Sequence, residues 1–436
     1  MRIAPSEGGP VPRLLSNGLE FFPALLEAMG AARQQILLET YIFARDATGE
    51  RVARALADAA QRGVQVRVVV DGFGTRELPP EYQQWWDRAG VALQVFSPVP
   101  ALLTLDRERL RRLHRKLACI DGEIGFVGGI NVLDDHWDPN HGPLEHPRLD
   151  FAVQVEGRLA RDVHGTMSRL WEQVSAPGAI ERHLGVARRS ASTETAELGM
   201  PSAAARSEAP LVSVSQPVPA SPASPASPAS PASPASPALG RGSVQGAARL
   251  VLRDNLTHRR AIERAYLRAI GQARREVLIA TAYFFPGRRF RRALREAAAR
   301  GVRVRLLLQG RAEYLLPHRA AQAMYDSLLD RGIEIHEYTR SFLHAKVAVI
   351  DDWATVGSSN IDPFSLLLSR EANVVVEDPV FAQRLREGLD HAIRHGAQQV
   401  LMDHVRRRPW WRRLSGWVAY GLLRLGVSVS GERLDQ

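Results

Sequence analysis

Short apolar runs alternate with amphipathic stretches rich in Ala and Arg through most of this chain. Ile36-Leu37-Leu38-Glu39-Thr40-Tyr41-Ile42-Phe43 has the composition of a buried strand. A helical pattern follows over Arg51–Arg62 and meets Gly63, a residue that ends helices readily. The strand-like run Val64–Val70 comes next. The same succession returns later: the run Val277–Phe284, the helical pattern Arg289–Arg300, Gly301, and the run Val302–Leu308. Ala-Arg precedes both apolar runs, as Ala32-Arg33 and Ala273-Arg274. Farther on, Asp150-Phe-Ala-Val-Gln-Val matches Glu371-Ala-Asn-Val-Val-Val. Strand–helix–strand alternation predicts an α/β fold, and the self-similarity predicts two α/β halves descended from one duplicated unit.

A compositional break separates the halves. Pro217–Pro237 is dominated by Ser-Pro-Ala repeats, and 190–244 is poor in large apolar residues. Proline removes backbone donors and favours extended chain, so a disordered, solvated linker is expected over 186–246. This leaves a first domain over 1–185 and a second over 247–405. The remainder, 406–436, combines Arg406-Arg407-Arg408 with Trp410, Trp411 and Trp417. At helical spacing Trp410, Leu414, Trp417, Val418, Leu422 and Leu425 fall mainly on one side, with Arg412, Arg413 and Arg424 on the other. Such a helix is expected to lie on an anionic membrane surface.

Charge narrows the partners. The 436 residues carry a formal net charge of +10, which favours nucleic acid, an anionic membrane surface or a phosphate-bearing substrate. The single cysteine, Cys119, excludes an intrachain disulfide and reads as a small buried residue. The N-terminus lacks a secretory signal pattern, and no uncharged apolar window is long enough to span a bilayer. The expected location is therefore the cytoplasmic side, bound peripherally to the cell membrane.

The chemistry lies in a pattern that occurs twice. His114, Lys116 and Asp121 are followed by Gly128-Gly129-Ile130-Asn131; His344, Lys346 and Asp351 are followed by Gly357-Ser358-Ser359-Asn360. Two copies in matching contexts predict one active site built from two half-sites. On a strand over Leu113–Ile120, His114 and Lys116 point the same way, as do His344 and Lys346 in the second copy. An imidazole beside an ammonium suits a phosphodiester: the lysine neutralises oxygens while one histidine attacks phosphorus and the other moves a proton. Parity sends Asp121 and Asp351 to the other register, where they brace a turn, although they belong to the motif and were grouped with its catalytic residues. Asn131, Asn360 and Ser358 are candidate phosphate donors. Asp150 and Glu371, at equivalent repeat positions, are candidate orienting acids for the imidazoles. No zinc spacing, Walker loop or dinucleotide fingerprint is present, so neither metal nor cofactor is expected. Asp134, Asp135, His136 and His141 read as a polar loop near the site mouth.

These doubled residues resemble the phospholipase D superfamily, over both halves from about Leu14 to His404. More narrowly, His114-Arg-Lys116 with Gly128-Gly129-Ile-Asn131, and Gly357-Ser-Ser-Asn360-Ile-Asp362-Pro-Phe-Ser365, resemble bacterial cardiolipin synthases. The lack of N-terminal spanning helices is similar to the B-type enzymes; the Ser-Pro-Ala insertion departs from the family's compact linker. The resemblance implies two similar α/β domains packed as a pseudo-dimer around one shared active site. It implies transfer of a phosphatidyl group from phosphatidylglycerol, through a phosphohistidine, to a second phosphatidylglycerol with release of glycerol. Phosphatidylethanolamine is a further donor within the family. Family precedent assigns His114 as nucleophile and His344 as general acid/base, an order the residues alone leave open. The rival readings are a phospholipase D-type hydrolase, a phosphatidylserine synthase, a nuclease of the same superfamily and a non-catalytic membrane-binding protein. The Trp-Arg tail and the closer motif match favour lipid over nucleic acid.

Overall fold

Apolar strands buried on both faces need helices or another sheet on each side, and both halves of this chain meet that need in the same way. The computed structural model describes residues 9–97, 111–138, 140–176, 247–254, 258–311, 315–362, 369–406 and 421. The linker expected over 186–246, and all of the expected tail except Arg406 and Gly421, lie outside the described residues.

The first half contributes β1 (Arg13–Ser16), β2 (Gln35–Thr40), β3 (Gln65–Asp71), β4 (Ala92–Phe96), β5 (Arg112–Leu113), β6 (Lys116–Ile120), β7 (Ile124–Gly128), β8 (Trp137–Asp138), β9 (Gly142–Pro143) and β10 (Phe151–Glu156). The second contributes β11 (Ala247–Arg253), β12 (Glu276–Thr281), β13 (Arg303–Gln309), β14 (Glu334–Tyr338), β15 (Lys346–Ile350), β16 (Trp353–Gly357), β17 (Ser369–Glu377) and β18 (Ala397–Gln399). One sheet runs β1-β10-β7-β6-β2-β3-β4; the other runs β11-β17-β16-β15-β12-β13-β14, with β18 at its far edge. Position by position the two orders agree. In each, three parallel strands join an antiparallel set through β6 or β15. The duplicated α/β unit read from the sequence is present.

Helices Asn17–Ala31, Ala47–Gln61 and Pro80–Ala89 cover the outer face of the first sheet, where Phe22, Leu25, Leu56 and Trp86 pack with Ile36 and Val68. The helix over Ala47–Gln61 begins ahead of the apolar pattern because the Asp46 carboxylate accepts the Gly49 amide and caps it. Gly63 and Gly301 follow the equivalent helices in left-handed conformation, which glycine adopts without strain. In the second half Tyr266, Ile270, Leu294 and Tyr325 pack with Ile279 and Leu306. The inner faces share another core, in which Leu37, Leu117, Val127 and Phe151 join Leu278, Leu307, Val347 and Val374. Helix Gly157–Ser175 packs on β6 and β7 and reaches β11; helix Pro379–Gly396 packs on β15 and β16 and reaches β1. That exchange is reciprocal, as in a pair related by two-fold symmetry.

The run Leu113–Ile120, read as one strand, is divided. β6 begins at Lys116, because the main chain of Arg112–Leu113 pairs instead with Ser369–Arg370 of the other half. The His114 amide donates to the Arg370 carbonyl (3.1 Å), and the His344 amide donates to the Leu149 carbonyl (2.8 Å). Each motif histidine therefore enters the site at a junction between halves.

Asp121 and Asp351 close the turns after β6 and β15, with positive φ of 53° and 51°. The Asp121 carboxylate accepts the amides of Arg33, Gln34 and Gln35 at 2.8–2.9 Å. Asp351 accepts those of Arg274, Arg275 and Glu276 at 2.8–3.0 Å. Burial pushes each carboxyl up, but the three amides together outweigh it and hold both below the usual carboxylate range. A whole strand separates each aspartate from its motif lysine, about 17 Å at the usual rise. This corrects their grouping with the catalytic residues: their carboxylates are taken up in bracing the turns, at the far end of the strand from the lysines. Asp121→Ala should cost about 1–3 kcal/mol in urea unfolding and leave kcat per folded molecule unchanged. A drop in kcat at full stability would return Asp121 to the chemistry.

Candidate active site

Two polar residues at the ends of apolar strands hold the segments that carry the histidines. Asp71, ending β3, accepts the Leu113 amide at 2.7 Å; Gln309, ending β13, accepts the Leu343 amide at 3.0 Å. Both side chains are buried. The sequence reading passed over them, although a polar residue directly after the apolar runs Val68–Val70 and Leu306–Leu308 was a usable signal.

The histidines and the two candidate acids meet crosswise. His114 Nδ1 lies 3.1 and 3.2 Å from the Glu371 carboxylate oxygens, and His344 Nδ1 lies 2.6 Å from Asp150 Oδ2. Each carboxylate comes from the other half. With Nδ1 engaged, Nε2 is the nitrogen left for chemistry. The imidazoles keep 16% and 20% of their side chains exposed, against none and 3% for the carboxylates. The acids are thus less exposed than the rings they hold. Lys116 Nζ donates to the His114 carbonyl at 2.8 Å, and Lys346 Nζ to that of His344. The Tyr41 ring stands edge-on to His114 at 5.0 Å and lies 5.2 Å from Lys116 Nζ.

The pseudo-symmetry stops at the groups around the carboxylates. Glu371 has buried Arg253 at 3.5 Å and receives the Ser358 hydroxyl. Among the described residues Asp150 has no guanidinium at ion-pair distance, although the charge of Arg148 acts on it; its Oδ1 accepts its neighbour Phe151's amide, and its own amide donates to Asn17. Gly129 stands where Ser358 stands in the other half, and a Cβ there would come within 2.3 Å of Asp150 Oδ1. The Gly-Gly of one motif and the Gly-Ser of the other follow from that difference. Burial pushes Glu371 up, but the charges of His114, Arg253 and Lys116 outweigh it and hold the carboxyl below its usual range. Burial carries Asp150 the other way, up to about 6 against the pull of Lys346. Burial lowers His114 against the pull of Glu371, and burial with the charges of Lys346 and Lys116 lowers His344 well below the ordinary imidazole value. Both rings are held toward the neutral form before substrate arrives.

The candidate phosphate donors fare differently. Asn131 lines the cleft, and its Oδ1 accepts the Ile42 amide at 3.2 Å, so its NH2 is the group it can offer. Ser358 is fully buried with its hydroxyl committed to Glu371, which corrects its assignment to phosphate and makes it a brace for the acid. Asn360 is buried, its Oδ1 without a hydrogen-bond partner, and lines a smaller pocket beside Tyr266 and Phe290. The structure does not bring it to the main cleft.

That cleft has a volume of about 580 Å³ and reaches Asp150 and His344. Tyr41, Phe43, Phe73 and Trp137 form apolar wall, with Asn131, Asp135 and Arg148 among its polar groups. The polar loop expected at the mouth is there: Asp135 lines the cleft and accepts the Gly18 amide, His141 Nδ1 meets Asp138 at 2.9 Å, and Asp134 accepts the His136 amide. Among the described residues no three acidic, His or Cys side chains are placed to share a metal ion.

Burial, reinforced by Lys346, pushes Lys116 down to about 7. The free enzyme therefore loses this charge as pH rises through neutrality. The profile of kcat/KM, which reports free-enzyme ionisations, should fall on its alkaline side near that value. In Lys116→Arg, whose guanidinium does not titrate there, that limb should move to higher pH. An unmoved limb would assign it to another group.

Residues 25–143 and 266–393 match the family described as cardiolipin synthase, PLD-like domain. The chain is 36% identical over 425 residues to cardiolipin synthase B of Escherichia coli strain K12, covering 97% of this chain and 90% of that protein. It is 28% identical over 369 residues to a probable cardiolipin synthase of Bacillus subtilis, covering 84% of this chain and 62% of that protein. The crystal structure of a phosphatidylserine synthase from Haemophilus influenzae Rd KW20 covers 97% of both chains with a TM-score of 0.64 at 12% identity, a likeness of fold. With the motif repeated in two sheets of one strand order, and the match extending over both, this chain belongs to the PLD-like cardiolipin synthase family.

Proposed function

We propose that this protein makes cardiolipin by transferring a phosphatidyl group from one phosphatidylglycerol to another. The observation that carries the mechanism is the crossed pairing of His114 with Glu371 and His344 with Asp150 in one site. Neutral His114 attacks phosphorus through Nε2 as the P–O bond to glycerol breaks. Once the anionic phosphodiester offsets the lysine charges, His344 takes up a proton at Nε2 beside the Asp150 carboxylate and gives it to the departing alkoxide, and glycerol leaves. His344 then takes the proton of a hydroxyl on the second phosphatidylglycerol, whose oxygen displaces His114 from phosphorus. Lys116, Lys346 and Asn131 neutralise or hydrogen-bond the phosphoryl oxygens as charge develops. The cleft reaching His344 supports this order, because the leaving and the arriving alcohol both need that acid/base beside them. Phosphatidylethanolamine fits the same chemistry as a second donor.

Nothing in the reaction sends the lipid tails into water, so the enzyme works at a membrane surface. Among the described residues no helix is long and apolar enough to cross a membrane. Peripheral attachment at the cytoplasmic face of the inner membrane, aided by the basic Trp-rich residues 406–436, is the arrangement we propose. Deleting those residues should weaken binding to anionic vesicles.

Mass spectrometry of lipids after incubation with phosphatidylglycerol vesicles tests the assignment. Cardiolipin and glycerol, absent with His114→Ala, are the expected products. Phosphatidic acid alone would mean a hydrolase, and phosphatidylserine formed only with added serine would mean that synthase.

A further inference from the structure

Single apolar side chains at a surface need no explanation, but a cluster around one opening does. Leu19, Phe73 and Trp137 are 85%, 44% and 46% exposed. Phe73 and Trp137 line the mouth of the active-site cleft. Leu19 follows Gly18, whose amide donates to the cleft residue Asp135, and its helix starts at Asn17, which holds the Asp150 amide. The cleft lining carries both signs, Arg45, Arg76 and Arg148 with Asp46, Glu77, Asp135 and Asp138, but the charges set against exposed Phe73 are cationic. The Arg112 and Arg76 guanidinium carbons lie 5.0 and 5.6 Å from the Phe73 ring centre. On the other half, exposed Arg311 lies 6.0 Å from the ring of Phe342, two residues before His344.

We propose that this rim is the surface by which the protein docks on an anionic bilayer, with Leu19, Phe73 and Trp137 entering the headgroup layer. The inference rests on the lipid reading above and adds where the membrane is met. An exposed ring such as Phe73, with Arg76 and Arg112 set against it, suits the boundary between headgroups and acyl chains, where the ring is desolvated and the guanidinium stays with phosphate. The reaction requires the same face. A phospholipid whose tails remain in the bilayer presents its phosphodiester at the surface, and His344 and Asn131, two of the groups that receive it, line the cleft. Exposed apolar residues elsewhere lack this setting: Val380, 62% exposed, follows the end of β17 farthest from Glu371, on the order of 20 Å along the strand.

The test places a polarity-sensitive nitrobenzoxadiazole label at Leu19→Cys, Trp137→Cys or Val380→Cys in the full chain. Native Cys119 is 1% exposed and out of the reagent's reach, and thermal unfolding midpoints verify each fold. With vesicles of phosphatidylglycerol and phosphatidylcholine in equal parts, labels at 19 and 137 should brighten and shift to the blue while the label at 380 does not. In unlabelled protein, Leu19→Glu with Trp137→Ser should weaken vesicle pelleting by roughly tenfold or more. Protein that pellets with vesicles and makes cardiolipin, yet shows no response at 19 and 137 or an equal response at 380, overturns the rim and leaves the lipid reading standing. Brightening on raising protein concentration without vesicles makes the rim a contact between copies and overturns it too. No pelleting and no lipid turnover overturns both readings.

Discussion

His114→Ala and His344→Ala should each lower cardiolipin formation by roughly four powers of ten or more, and the double variant should be little worse than either. A nucleophile and its proton partner act as a unit, so removing one leaves the other nothing to work with. The crossed contacts make this sharper. Each ring is positioned by the carboxylate of the other half, so one substitution leaves the second histidine oriented by its acid but without a partner for the reaction. A donor lipid with a nitrophenyl headgroup separates the roles, because nitrophenolate leaves without a proton. His344→Ala should release one equivalent in a burst and trap phosphohistidine on the peptide containing His114. His114→Ala should show no burst. The reverse pattern would exchange the two roles. Ordinary turnover in both variants would end the two-histidine mechanism.

Glu371→Gln should be the next most damaging change, and it should harm both activity and fold. The carboxylate holds the His114 ring by Nδ1 and stabilises its cationic form; an amide there can donate a proton to Nδ1 and select the wrong tautomer. Loss of a carboxylate in this role costs on the order of 10²–10⁴ in rate. Arg253 explains the cost to the fold. Its side chain is wholly buried, with Nη2 3.5 Å from a Glu371 oxygen, and among the described residues its Nε has no hydrogen-bond partner. Neutralising the glutamate leaves a buried cation with only the weaker charges of Asp362 and Glu263 to offset it, a cost of up to about 3–5 kcal/mol. Adding Arg253→Met should restore much of that stability in urea unfolding and none of the activity. Asp150→Asn should lose comparable activity at smaller cost to the fold, because Arg148, the cation of its own segment, already has Asp138 at 2.9 Å. Wild-type turnover in Glu371→Gln would remove the carboxylate from the mechanism.

The local parts of this site were legible because they are repeated in matching order along the chain. His114 with Lys116 and His344 with Lys346 stood out by doubling, and Asp150 with Glu371 by their equal places before similar strands. The bracing role of Asp121 and Asp351 followed from strand parity, and the amides of Arg33–Gln35 and Arg274–Glu276 are what they brace. Ser358 was misread because spacing could place its hydroxyl in the turn after β16 but could not show that Glu371 would take it. Arg253 gave no signal: one arginine among 57 basic residues is ordinary until the fold buries it completely.

Periodicity and repetition, which are properties of neighbouring residues, determined by themselves that this chain forms two like α/β halves carrying one phosphoryl-transfer chemistry. Partner choice across the halves was decided only in three dimensions. β5 pairs with β17, and Leu149 meets the segment that leads to His344, so each acid serves the histidine far from it in sequence. The same packing brings Arg253 to one carboxylate and, among the described residues, leaves the other without a guanidinium at ion-pair distance. It also leaves Phe73 and Trp137 exposed at one opening. The physical reason is that hydrophobic burial and strand pairing are local in pattern but unspecific in partner. Which surfaces meet depends on how the two sheets close over their shared core, and the pattern along the chain carries no record of that closure.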